Sequence, residues 1–203
     1  MTDVARATQR CDTVMADGRE LLASTGILGA LRSFGEVHLT GSFAMGLAIR
    51  QELDVLLLVP GDPTEELLSQ IRRVLMRSLD TTSVQHSAML SADGSETKHF
   101  LRADTYGPAR SGLDSAGIWT ADVAVWQAGR WHQRHGTPAP AALSDRLGAD
   151  GRALVLAAKV ELLEAGLRER LSTRQLCEAV LDGRLRSLEG LHALLAPEAR
   201  GAP

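Results

Sequence analysis

The chain has 203 residues and a mass of 21.7 kDa, enough for one domain, or for one domain with a small helical appendage. Twenty-two Lys and Arg against 25 Asp and Glu leave a net charge of −3, which excludes a basic nucleic-acid-coating protein. Hydrophobic residues make up 44% of the chain and exclude an acidic disordered one; aromatics are only 3%, so the core must be built from Leu, Val, Ile and Ala.

Cys11 and Cys177 are far apart and have no partners at metal spacing, so neither a disulfide framework nor a zinc knuckle follows from them. They read as free thiols in a reducing compartment. No apolar run reaches the ~18 residues of a membrane span. The first residues lack a basic stretch followed by an apolar one, so no signal peptide is expected. The expectation is a soluble cytoplasmic protein without a membrane partner.

In chain order, Val4, Cys11, Val14, Met15, Leu21 and Leu22 recur near every 3.6 residues and predict a helix over 3–24. A short helix follows, up to Gly35. Residues 36–40 alternate and predict a strand. Gly41-Ser42 then makes a strand-to-helix turn, with a short helix expected over 43–49. Residues 53–59 predict a second strand, stopped by Pro60-Gly61-Asp62-Pro63. Thr64 is the expected N-cap of a helix to Leu79, with Glu65 and Glu66 in its first turn. Residues 83–90 and 97–106 predict strands around a Ser/Asp/Gly turn, and 118–126 a further strand. Gly136 to Ala141 reads as a linker. It divides an N-terminal domain, 1–135, from a C-terminal helical module, 142–203. In that module a long helix is expected over 150–170. Ser172 and Gln175 predict a capping box for the next helix, which Gly183 ends, and 187–195 predicts a last helix.

The segment Leu39 to Val59 carries the chemistry. Gly41 lets the backbone approach a phosphate closely, and the N–H groups of the turn and helix start make an anion site. Ser42 adds a hydroxyl donor. Glu52 and Asp54 lie two apart on an extended segment and therefore share a face. Two such carboxylates suit Mg²⁺ ions that clamp the attacking and leaving oxygens in phosphoryl transfer.

This pattern resembles the nucleotidyltransferase superfamily of the polymerase-beta-like fold, in particular its small bacterial members. Their signature is Gly followed by Gly or Ser, a short spacer, then Asp, a hydrophobic residue, and Asp or Glu. Here nine residues separate Ser42 from Glu52-Leu53-Asp54-Val55, and Gly46 fits a second glycine common in small members. Glu52 stands where Asp is usual. The alternative register, with Asp54 as first acid, would put Leu56 in the second position, and the site would bind no metal.

The resemblance implies an α+β fold, a short mixed sheet with flanking helices, followed by the helical module. It implies transfer of a nucleoside monophosphate from an NTP, dependent on Mg²⁺, with two ions held by Glu52, Asp54 and a third acid. Asp122 fits that role, a lone acid in an apolar strand, where burial is costly unless it is paired or metal-bound. Gly41 and Ser42 are the expected nucleotide-binding turn. Lys98 and Arg102 share a strand face and are the expected triphosphate cations, with His99 on the other face.

His132 and His135 lack a third ligand, and Arg72, Arg73 and Arg77 read as a solvated helix face. Trp126, Trp131 and Phe100 could stack a base or fill a core. Two acceptors stay open. One is a tRNA or other RNA 3′ end, which carries with it a toxin role and an antitoxin partner; the other is a small molecule such as an antibiotic. The reading from a different class is an inactive nucleotide- or partner-binding module, with Glu52 as its motive.

Overall fold

The computed structural model describes residues 3–90, 97–109, 117–139 and 141–195. The Ser/Asp/Gly turn at 91–96 and Pro140 of the linker lie outside these residues. In chain order the elements are α1 (Asp3–Thr25), α2 (Ile27–Leu31), β1 (Glu36–Thr40), α3 (Gly41–Ala44), β2 (Glu52–Val59), α4 (Glu65–Ser78), β3 (Val84–Leu90), β4 (Thr97–Tyr106), β5 (Ile118–Gln127), α5 (Ala128–His135), α6 (Ala141–Asp145), α7 (Ala149–Glu164), α8 (Thr173–Leu181) and α9 (Leu191–Leu195). Three-residue 3₁₀ turns sit at Arg168–Arg170 and Leu188–Gly190.

The five strands form one mixed sheet in the order β1-β2-β5-β4-β3. The central pair, β2 and β5, is parallel and every other pairing is antiparallel. A parallel pair needs a long crossover, and α4 with the β3–β4 hairpin supplies it. Along β2, Val55, Leu57 and Val59 are buried with Leu68, Ile71 and Leu75 of α4 and Leu101, Val123 and Val125 of the neighbouring strands. Alternation therefore sends Glu52 and Asp54 to the other face.

A second core joins α1, α3, α7 and α8 through Cys11, Val14, Phe43, Leu47, Val155, Leu156 and Cys177. Both cysteines are buried free thiols, Cys11 pushed up to about 11 chiefly by burial. No described helix is long and apolar enough to cross a membrane.

Three helix expectations need correction. The helix after Gly41-Ser42 starts at Gly41 and ends at Ala44, because Gly46 takes φ 66° and turns the chain into a loop. The long C-terminal helix stops at Glu164, not Arg170: Gly166, at φ 69°, breaks it, and a 3₁₀ turn follows. The last helix is split into a 3₁₀ turn and α9. The Ser172–Gln175 capping box and the Thr64 N-cap both form.

Candidate active site

The β1–α3 turn is shaped by its acid neighbour. Gly41 has φ 60°, and a Cβ placed there would lie 1.9 Å from Asp54 Oδ2. Only glycine meets both demands, the left-handed backbone and the close approach of a carboxylate. The turn is held by the loop behind it. Arg10 and Cys11 of α1 donate to the carbonyls of Ile49 and Gly46, and Arg152 and Lys159 of α7 donate to those of Gly46 and Leu47. Side chains from both ends of the chain thus fix the backbone that presents Gly41 and Ser42.

Asp54 of β2 and Asp122 of β5 are direct register partners across the parallel pair. Glu52 stands two residues before Asp54, so all three carboxylates share one sheet face. They open into a cavity of about 640 Å³ that is also lined by Gly41, Ser42 and Arg102. Their titration reflects crowding. Asp54 is pushed up to about 6 by burial first and then by the charges of Glu52 and Asp122. Glu52 is raised by burial and then by Asp122. Asp122 is raised by burial, against the opposing charge of Arg102, whose Nη1 is 3.9 Å from its Oδ2. Like charges held this close favour an added cation.

The donor set is all carboxylate oxygen, which suits a hard ion such as Mg²⁺. Among the described residues no group of three or more His, Cys, Asp or Glu side chains is already placed to hold a metal ion. Mg²⁺ does not require one: it keeps several waters and is held by one or two carboxylates with substrate phosphates. Arg50, on the cavity wall, pairs its buried Nη1 with Glu52 Oε1 at 3.1 Å, outside hydrogen-bond geometry.

No protein-family model matches the sequence, and no curated protein is significantly similar to it. Solved structures match in fold. Cid1 in complex with its short product ApU is 16% identical with a TM-score of 0.50, covering 86% of this chain and 53% of that one. A variant of Cid1 poly(U) polymerase bound to MgATP is 16% identical with a TM-score of 0.50, covering 84% and 50%. The chain has the polymerase-beta-like nucleotidyltransferase fold. It spans about half the length of the structures it matches, and the likeness is one of fold.

On this nucleotidyltransferase fold, the sequence-derived residues divide by position. Gly41, Ser42, Glu52, Asp54, Asp122 and Arg102 come together on one cavity. Lys98 is not among the residues lining it. It shares the Arg102 face but lies four residues along β4, and its Nζ sits 4.6 Å from the Trp126 ring centroid. Trp126 is itself buried against Leu56, Leu58 and Trp131. His132 is paired with Glu36 at 3.3 Å, which holds the Glu36 carboxyl low, and His99 contacts His86.

Sequence reasoning missed the opposite wall. Lys159 of α7, Arg168 of the 3₁₀ turn, and Ser172, Thr173 and Arg174 at the start of α8 all line the same cavity. Lys159 is brought down to about 8 by burial, against the charges of nearby groups that include Glu52 and Asp54. Its signal was legible: one of only two lysines in the chain, set in an otherwise apolar helix face. Arg168 and Arg174 carried none, because they sit in a stretch of mixed charge.

Proposed function

We propose that the protein is an Mg²⁺-dependent nucleotidyltransferase that moves a nucleoside monophosphate from an NTP to an acceptor hydroxyl. The observation that carries this reading is the pairing of Asp54 with Asp122 across parallel strands, with Glu52 on the same face and the Gly41–Ser42 turn beside them.

The turn would take phosphate oxygens on its N–H groups and the Ser42 hydroxyl. Arg50, Arg102, Lys159, Arg168 and Arg174 bring five cationic side chains to the cavity walls, a match for a triphosphate. Glu52, Asp54 and Asp122 are the residues that would hold Mg²⁺, two ions on this reading. Bound there, the metal supplies a Lewis acid that neutralises developing phosphate charge. The acceptor oxygen bonds to the α-phosphorus, the bond from that phosphorus to the β-phosphate oxygen breaks, and pyrophosphate leaves. Asp122, with its proton affinity raised, takes the hydroxyl proton.

The proposed acceptor is an RNA 3′ end, of tRNA in the first instance. Its support is that the fold neighbours are a poly(U) polymerase and the same protein with an ApU product. With a tRNA acceptor we infer a toxin of a toxin–antitoxin pair, whose protein partner is an antitoxin and whose expression arrests growth. The test is label transfer from each α-labelled NTP to total tRNA in Mg²⁺, with Asp54→Ala beside the wild type. Label on RNA from wild type alone supports nucleotidyl transfer to an RNA acceptor. Turnover only with small hydroxyl acceptors moves the acceptor to a small molecule, and no turnover with either sinks the enzyme reading.

A further inference from the structure

Glu52 is one methylene longer than the Asp usual at its position, and it is engaged by arginine from two sides. Arg168 Nη1 donates to Glu52 Oε1 at 3.0 Å across 116 residues of chain. Arg50 Nη1 lies 3.1 Å from the same oxygen without forming a hydrogen bond. An arginine on Glu52 Oε1 competes with a cation for the charge of that carboxylate, so loading the site weakens the Arg168 contact. Both side chains line the cavity that contains the Gly41–Ser42 turn.

We propose that Arg168 is a positioning residue that changes partner in each turnover. In the nucleotide-free protein it holds Glu52. When a metal–NTP complex enters, Glu52 turns to the metal and the Arg168 guanidinium turns to the triphosphate. The inference rests on the nucleotidyl-transfer reading above.

Four features support the exchange. Arg168 sits on a three-residue 3₁₀ turn just after Gly166, whose φ of 69° ends α7, so its backbone is not locked into a long helix. Its side chain is 39% exposed, and its Nε lies 2.5 Å from exposed Glu169, a second anion that steadies it between partners. The planar fork of a guanidinium matches two phosphate oxygens as well as it matches a carboxylate. The longer Glu52 side chain is what allows one carboxylate to serve both states: the extra methylene lets it meet Arg168 on the far wall and still turn toward Asp54.

The exchange predicts opposite signs for two binding steps. Arg168→Ala should bind Mn²⁺ more tightly than wild type without nucleotide, by about threefold, the scale of one partly exposed ion pair. The same variant should bind an α,β-methylene NTP analogue with Mg²⁺ at least about tenfold more weakly, the scale of a charge-assisted fork. Both are read by titration calorimetry on the full chain, with melting curves to establish that the variant is folded. Arg168→Lys should recover part of the nucleotide affinity.

Loss of both affinities would mean that the turn is merely structural and would overturn the exchange. Equal nucleotide binding by Arg168→Ala and wild type would overturn it while leaving nucleotidyl transfer standing. If wild type itself binds no analogue of any base, the nucleotidyl-transfer reading falls first and the exchange with it. Should Arg168→Ala fail to fold, Glu52→Asp serves instead. Shortening Glu52 should release it from Arg168 and raise Mn²⁺ affinity without nucleotide, and unchanged or weaker Mn²⁺ binding would count against the exchange.

Discussion

The two walls of the cavity differ in how they are made. The anionic wall is local: Glu52 and Asp54 belong to one strand, Gly41 and Ser42 precede them by a few residues, and Asp122 joins through backbone register. The cationic wall is assembled from a long way off. Lys159, Arg168 and Arg174 come from the C-terminal helices, more than a hundred residues after the turn they face. A sheet fixes its side chains by hydrogen-bond register, whereas helix-borne side chains depend on how the helices pack. The acids should therefore govern chemistry and the cations affinity, and substitutions should separate the two.

The largest effect is expected at the centre of the anionic wall. Asp54→Ala should lower transfer by ~10³-fold or more, measured as label moved to acceptor, because it removes charge from the middle of the acid cluster. Asp122→Asn should cost ~10²–10⁴-fold in rate, the range for a positioned general base, while an unreactive NTP analogue still binds. Equal losses of binding and rate would place Asp122 in substrate binding instead.

Gly41→Ala should damage both walls at once. Its Cβ would strike Asp54, and its backbone would be strained at φ 60°. A lower melting temperature together with weaker nucleotide binding is expected. A normal melting curve would show that the turn relaxes.

On the cationic wall, Lys159→Met should raise KM by about tenfold with a much smaller change in kcat, as expected for lost binding of the triphosphate in ground and transition states alike. Lys98→Ala should change NTP affinity by less than about twofold, since its amine sits over Trp126 outside the cavity.

The smallest effect concerns stability without metal. Asp54 is raised from 3.8 to about 6, so folding is penalised while its carboxyl is ionised. Asp54→Asn removes that penalty. The variant should melt higher than wild type above about pH 6, and the advantage should fade as pH falls from 6 toward 4, where wild-type Asp54 takes up a proton. A difference independent of pH would remove the charge crowding inferred for this wall.

Much of the fold could be read directly from local pattern. Alternation marked β1, an apolar run stopped at Pro60-Gly61 marked β2, and Thr64 and Ser172 marked two helix starts that form as expected. In two of the three helices where the reading slipped, a glycine was the cause: Gly46 and Gly166 each end a helix that was expected to run further. In the site, Arg102 was expected as a triphosphate cation, and the structure places it as the register partner of Asp122. Lys98 was placed by face alone, and face does not tell how far along a strand a residue lies from the acids.

By itself the sequence determined the acid pair, the glycine turn and the lone strand acid, because each is fixed by spacing along a few residues. Tertiary structure alone decided that α1 and α7 pin the loop behind the turn, that Lys159 lines the same cavity as the carboxylates, and that Arg168 holds Glu52. Those contacts join residues roughly forty to more than a hundred apart in the chain. No local propensity encodes such pairs; they exist because burying the shared core of α1, α3, α7 and α8 brings their polar edges to one place.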